Sequence, residues 1–310
     1  MKKILIFGTG FIAQNLVQYF NAKDVECIIL YNNHKIETPF EVKQYSMNDD
    51  IENIFKVEKP EYVVILHGNS FVPSNVDIAK SINDNLLKAT NFLDTIYKKK
   101  IGANLNKIIV VGSASEYGKF YDKPISEDFA LHPTSIYGLS KIFLFNMSQY
   151  FIERGLPIVY VRQFNTVGIG QRDSFVLTSF IKNIALIEKG KLIPELNVGD
   201  LSQERDFLDI RDTCAIYDML LSKGNIGEVY NIASGEFISI NTLLNKVIEL
   251  SNLNSSEIKV NSEIDLFSKE DSLSKRLQAD IQKIMNLGFK KKYTIEDTIT
   301  YTLNYWRNNV

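Results

Sequence analysis

Ile4-Leu5-Ile6-Phe7-Gly8-Thr9-Gly10-Phe11-Ile12-Ala13 reads as an apolar strand, a glycine turn and the start of an amphipathic helix, with the spacing GxGxxA. In such a turn Gly8 permits the tight reversal, Gly10 lets the backbone approach a pyrophosphate, and Ala13 allows close packing of helix on strand. An anion placed there meets free N–H groups and the positive end of the helix dipole. Gly8, Gly10, Phe11 and Ile12 are therefore the expected cofactor-contacting residues of the turn.

Working outward, apolar strands alternate with helical patterns. The strands are Ile4–Phe7, Val25–Leu30, Tyr62–Leu66, Ile108–Val111 and Ile158–Arg162; the helical stretches are Phe11–Asn21, Asp50–Val57, Ser74–Lys100 and Ser135–Arg154. Strands apolar on both faces suit a parallel sheet covered on both sides. The alternation predicts an α/β fold with a Rossmann-like, doubly wound parallel sheet. Beyond Phe164 the rhythm loosens and a charged cluster appears over Ser262–Arg276. The expected division is an NAD(P)-binding domain over residues 1–165, with a return near 205–233 that includes Val229–Ile232. Residues 166–310 would be mainly a smaller C-terminal substrate lobe.

The acid that usually holds an NAD ribose belongs near the end of the second strand. Here that segment reads Leu30-Tyr31-Asn32-Asn33-His34-Lys35, without a carboxylate. Asn32 and Lys35 are therefore expected to face the cofactor ribose, and the absence of an acid favours NADP(H), with NAD(H) as the alternative. Lys35 also has a plainer reading as a solvated loop charge.

Composition excludes other classes. With 35 basic and 37 acidic side chains the formal net charge is −2, which offers no electrostatic footprint for nucleic acid. Cys27 and Cys214 are isolated and read as small buried residues, and three histidines add no metal-site pattern. No apolar run reaches membrane-spanning length, and the first residues lack a secretory pattern, so a cytoplasmic protein is expected.

Tyr137-Gly138-Leu139-Ser140-Lys141 falls on a predicted helix, where the i,i+4 spacing sets phenol and ammonium on one face; alone, such a pair reads as an amphipathic surface pair. A lysine charge there is expected to draw the phenol from its ordinary value of about 10 toward neutrality. Such a tyrosine can pass a proton to or from a carbonyl or alcohol oxygen. Twenty-four residues upstream, the strand Ile108–Val111 ends in Gly112-Ser113-Ala114-Ser115-Glu116-Tyr117-Gly118. Ligands of open α/β sheets bind at the carboxyl ends of the strands, so Ser113 is expected in the crevice that receives the cofactor.

Together these segments resemble the extended short-chain dehydrogenase/reductase family, the nucleotide-sugar epimerases, dehydratases and reductases. The likeness extends to Asn85-Leu86-Leu87-Lys88-Ala89-Thr90-Asn91, to Arg162-Gln163-Phe164-Asn165 with Gln163 in place of a proline, to Arg205-Asp206-Phe207-Leu208-Asp209-Ile210 and to Leu287-Gly288-Phe289. One departure is the first turn, GxGxxA where the family typically has GxxGxxG. The resemblance implies that Ser113, Tyr137 and Lys141 are the catalytic triad. Tyr137 would be the acid/base and Ser113 would orient the keto oxygen, while Lys141 would hold the nicotinamide ribose. It also implies substrate contacts by Asn165, Gln171 and Arg205, with Arg205 on the diphosphate of a nucleotide sugar. The plainer reading of Arg205 is a salt bridge with Asp206 or Asp209.

Dehydratases of this kind carry an Asp-Glu pair where this chain has Ala114 and Ser115, and Glu116 falls one place too late. The segments Gly168–Val176 and Val198–Phe207 resemble those of GDP-6-deoxy-4-keto-D-mannose reductases. The expected activity is NADPH-dependent reduction of the C4 ketone of a nucleotide-linked 4-keto-6-deoxyhexose. The alternatives are an NAD-dependent 4-epimerase and a non-catalytic nucleotide-binding relative. Relatives also carry a second diphosphate-binding arginine, for which Lys269 or Arg276 are the candidates. The long helices Ser74–Lys100 and Ser135–Arg154 are expected to form the four-helix bundle of a homodimer.

Overall fold

The computed structural model describes residues 2–70, 77–118, 123–262 and 276–310. A seven-stranded, wholly parallel sheet runs in the order Lys43–Ser46, Glu26–Tyr31, Lys3–Phe7, Tyr62–Ile65, Lys107–Ser113, Ile158–Gln163, Val229–Ile232. The order reverses between Lys3–Phe7 and Tyr62–Ile65, the switch point at which such sheets open a crevice for ligands. The inner strands are buried on both faces, as their unbroken Ile/Val runs require.

The third strand in chain order, Lys43–Ser46, has no counterpart among the strands the sequence predicts. Its sequence Lys-Gln-Tyr-Ser carries no apolar signature because it lies at the sheet edge, where one side is open to water. Val229–Ile232 returns to the sheet as expected and pairs with Ile158–Gln163.

Helix Phe11–Asn21 buries Ala13, Leu16, Val17 and Phe20, the i, i+3, i+4, i+7 set of a single helical face. Helix Ile51–Glu58 starts on Asp50, whose carboxylate accepts from the Glu52 and Asn53 amides. Helix Ile136–Ile152 starts on Ser135, whose hydroxyl accepts from Gly138 at 3.1 Å. Caps of this kind stabilise a helix by about 1 kcal/mol. The expected Ser74–Lys100 helix is described from Ile78 to Lys98, with a π-helical turn at Asn83–Leu87; its first residues lie outside the described ones.

A separate apolar cluster forms where helices Val176–Glu188, Ile240–Glu249 and Ile295–Asn309 meet, with Phe180, Ile184, Leu243, Val247, Ile299 and Leu303 at its centre. Three short sheets flank it: Asn165–Val167 with Phe207–Asp209, Glu195–Val198 with Lys259–Ser262, and Glu204–Arg205 between Ile238–Ser239 and Arg276–Leu277. Both cysteines are buried and unpaired, and burial pushes the Cys27 thiol up to about 12. Among the described residues no helix is long and apolar enough to cross a membrane. Most of the charged cluster at 262–276, Lys269 included, lies outside the described residues.

Candidate active site

The crevice is built from three strand ends and one helix. At the first, Gly8 has φ +132°, and its N–H donates to the Leu30 carbonyl at 3.0 Å. A Cβ there would lie 3.2 Å from the His67 amide nitrogen and 3.3 Å from Leu66, so strain and contact both select glycine. Gly10 is different: a Cβ would meet nothing within 4 Å, so the side it leaves bare is open space. Gly10 is also the N-cap of helix Phe11–Asn21 and makes no side-chain cap. The first-turn N–H groups are thus not satisfied by a capping side chain, which is the donor arrangement a pyrophosphate needs. Gly168–Gln171 lies over the same turn: Asn15 Nδ2 donates to the Ile169 carbonyl at 3.0 Å, and Gly170 stands beside Phe11 and Gln14. At the end of the second strand Asn32 is half-buried and Lys35 is exposed.

The end of Tyr62–Ile65 leads to His67, whose ring stacks on Phe7 at 4.8 Å, and to Gly68. A Cβ on Gly68 would fall 2.9 Å from Asn85 Oδ1 and 3.3 Å from Lys141 Nζ. Glycine here lets the lysine tip reach the loop, and Asn85 Oδ1 closes the other side by accepting from the Asn69 amide at 2.7 Å. Asn85 sits in the π-helical turn, an irregularity frequent at functional sites. In the sequence it stood out only through the family resemblance.

Ser113 is the last residue of the Lys107–Ser113 strand and is buried. Tyr137 and Lys141 face it from helix Ile136–Ile152, with Lys141 Nζ 5.8 Å from the centre of the Tyr137 ring and 2.9 Å from the Val111 carbonyl it donates to. The structure therefore brings Ser113, Tyr137 and Lys141 together. It corrects the expected electrostatics, however. Burial pushes the Tyr137 phenol up to about 12, against a smaller lowering by its hydrogen bond with Ser113. Burial likewise pulls Lys141 down to about 8. Desolvation disfavours the charged form of each group, phenolate and ammonium alike, and is the largest cause of both shifts.

Glu116 is engaged in the core. It is fully buried, with Oε2 on Arg162 Nε at 2.9 Å and Oε1 accepting from the Ser113 amide at 2.8 Å. Arg162 further donates to the Tyr117 hydroxyl at 3.0 Å and the Glu127 carbonyl at 2.8 Å.

On the substrate side, Asn165 is exposed and donates to the Asp206 carbonyl at 3.1 Å. Gln171 is half-buried, bonded to the Thr166 carbonyl and the Thr178 hydroxyl, both at 2.6 Å. Arg205 is half-buried and donates to Gln203 Oε1 at 2.7 Å. The aspartates of its plainer reading are engaged elsewhere. Asp206 accepts from Ser234 and Gly235, and Asp209 pairs with Arg211 at 2.7 Å. Arg276 is paired opposite Glu204, whereas Leu277 is opposite Arg205. Opposed residues share a face and neighbours alternate, so Arg276 and Arg205 point to opposite sides of this sheet. Arg276 instead lies over the Phe237 ring at 3.5 Å.

The chain is similar over its full length to known proteins. It is 27% identical to GDP-6-deoxy-D-mannose reductase of Pseudomonas aeruginosa, covering 100% of this chain and 98% of the relative. It is 28% identical to GDP-6-deoxy-D-talose 4-dehydrogenase of Aggregatibacter actinomycetemcomitans, covering 95% and 94%. The solved structure of RMD from Pseudomonas aeruginosa complexed with NADPH superposes with a TM-score of 0.84 at 26% identity, covering 100% of both chains. Residues 4–233 match the model of the NAD dependent epimerase/dehydratase family. With that match spanning the switch-point turn and the Ser113, Tyr137 and Lys141 cluster, the chain belongs to the NAD dependent epimerase/dehydratase family, and so to the NAD(P)-dependent oxidoreductases that act on sugar nucleotides.

Proposed function

We propose that this protein reduces the C4 ketone of a nucleotide-linked 4-keto-6-deoxyhexose of the GDP-4-keto-6-deoxymannose type, using NADPH. The observation that carries the reading is similarity to GDP-6-deoxy-D-mannose reductase across the entire chain, and the local chemistry agrees with it. Ala114 and Ser115 cannot protonate a leaving hydroxyl, and Glu116 is committed to Arg162.

NADPH, when bound, supplies the hydride. Gly8, Gly10, Phe11 and Ile12 would cradle its pyrophosphate, and Asn32 and Lys35 its adenosine ribose, in a segment Leu30–Lys35 that carries no carboxylate to repel a 2′-phosphate. Ser113 would hold the ketone oxygen by a hydrogen bond. Tyr137 would donate its proton to that oxygen as charge develops, a step suited to a phenol that burial keeps protonated. Lys141 would bind the nicotinamide ribose and contribute positive charge. Asn165, Gln171 and Arg205 would contact the nucleotide sugar, Arg205 by a charge-assisted bond to its diphosphate. Residues 1–165 with the 205–233 return would then be the cofactor domain, and 166–310 mainly the substrate lobe.

Loss of NADPH absorbance with GDP-, UDP- and dTDP-4-keto-6-deoxy sugars tests the reading. Oxidation with the GDP sugar, and an NADPH KM raised about tenfold in Lys35→Ala, are expected. A protein that carries tightly bound NAD and interconverts 4-hydroxyl epimers without consuming NADPH would replace this reading with an epimerase. The pH profile gives a second check. Lys141 carries its charge below about 8, so kcat/KM should be flat near neutrality and fall about tenfold per unit above that point.

The same reading includes a homodimer. Leu139, Phe143 and Tyr150 are exposed on one face of helix Ile136–Ile152, and Leu87 is exposed on the neighbouring helix. Phe143→Glu places a charge in that face and should convert the protein to a monomer in light scattering. An unchanged mass would move the interface elsewhere.

A further inference from the structure

Ser113 and Lys141 come from different elements, and one buried cluster holds both. The Glu116 oxygen that accepts from the Ser113 amide also lies 2.8 Å from the Tyr160 hydroxyl. That hydroxyl is in turn 3.0 Å from the backbone carbonyl of Lys141. A phenol has one proton for these two acceptors, so Tyr160 spans the strand-end turn and the helix with a shared hydrogen bond. Its ring meets the edge of Phe145, one turn after Lys141, with centroids 5.1 Å apart. Arg162 balances the carboxylate from the far side.

Gly112 is shaped to this cluster. A Cβ there would fall 2.2 Å from Glu116 Oε1 and 2.3 Å from the Tyr160 hydroxyl, and its φ lies outside the left-handed region. Space alone therefore demands glycine, and the space is filled by the carboxylate–phenol contact. A buried ion pair is weak evidence of a stabilising role, since apolar residues of similar volume often hold a core as well.

We propose that Glu116 and Tyr160, backed by the Arg162 charge, are positioning residues for the reaction. They set the separation between Ser113 and the Lys141 turn, and with it the place of Tyr137 one turn earlier. A shift of about 1 Å in such a set is enough to cost up to about a hundredfold in rate. The inference rests on Ser113, Tyr137 and Lys141 being the catalytic set.

Tyr160→Phe removes the shared hydroxyl and keeps the ring on Phe145. Gly112→Ala keeps every polar atom and forces the same contact apart. For each variant, kcat for GDP-4-keto-6-deoxymannose should fall about tenfold, with both KM values within twofold of the parent. Amide exchange followed by mass spectrometry should rise about tenfold in peptides covering 110–117 and 136–145, and nowhere else. The exchange reading needs no turnover. Exchange that is unchanged in those peptides, or that rises evenly along the chain, overturns the positioning role. Tyr137→Phe in the same assay separates the two readings. Full activity in that variant overturns the catalytic set itself. An inactive Tyr137→Phe beside an unaltered Tyr160→Phe overturns only the positioning role.

Discussion

Tyr137→Phe is expected to lower kcat by about 10²–10⁴, the usual contribution of a positioned general acid, while KM for NADPH and for the sugar changes little. The ring, its packing and the helix turn remain; only the hydroxyl that faces Ser113 is lost. The loss corresponds to about 3–5 kcal/mol of transition-state stabilisation. Burial raises the phenol to about 12 in the parent, so the parent rate should show no ionisation of this group between pH 6 and 9. Stopped-flow decay of NADPH absorbance measures both effects. A variant within threefold of the parent would remove Tyr137 from the chemistry.

Arg162→Met is expected to destabilise the protein by about 3–5 kcal/mol, because it strands the Glu116 charge in the core. The pair is 2% and 0% exposed with Nε and Oε2 2.9 Å apart. The same substitution deprives the Tyr117 hydroxyl and the Glu127 carbonyl of a donor. Adding Glu116→Gln to Arg162→Met should recover about 1–2 kcal/mol. The amide removes the charge and keeps an oxygen for the Ser113 amide and the Tyr160 hydroxyl. Urea denaturation of the parent, the single and the double variants checks this. A double variant no more stable than the single would show that the charge is not what destabilises it.

Three features met a physical limit of sequence reading. Lys43–Ser46 carries no alternating or apolar pattern, since an edge strand is not compelled to bury both faces, and so it was invisible beside its neighbours. The phenol of Tyr137 was expected to be acidic because Lys141 lies four residues on. Spacing reports proximity along a helix and is silent about desolvation, which dominates both groups once the helix is packed against the sheet. In the sequence Glu116 stands one place from an acid position of the dehydratases. Its actual partner, Arg162, lies 46 residues away on another strand, a separation no local pattern reveals.

What the sequence by itself determined is the class of the fold and the candidates for the reacting groups. Unbroken Ile/Val strands, helical periodicity and a glycine turn are local constraints on burial and backbone geometry, and each is written in consecutive residues. What only the tertiary structure decided is how those groups are held and how they ionise. The seat of Ser113 on Glu116, the reach of Lys141 past Gly68 toward Asn85, and the opposed directions of Arg205 and Arg276 all depend on contacts between distant segments. Hydrogen bonds, desolvation and sheet pairing act through space, so they came into existence only when the chain closed on itself.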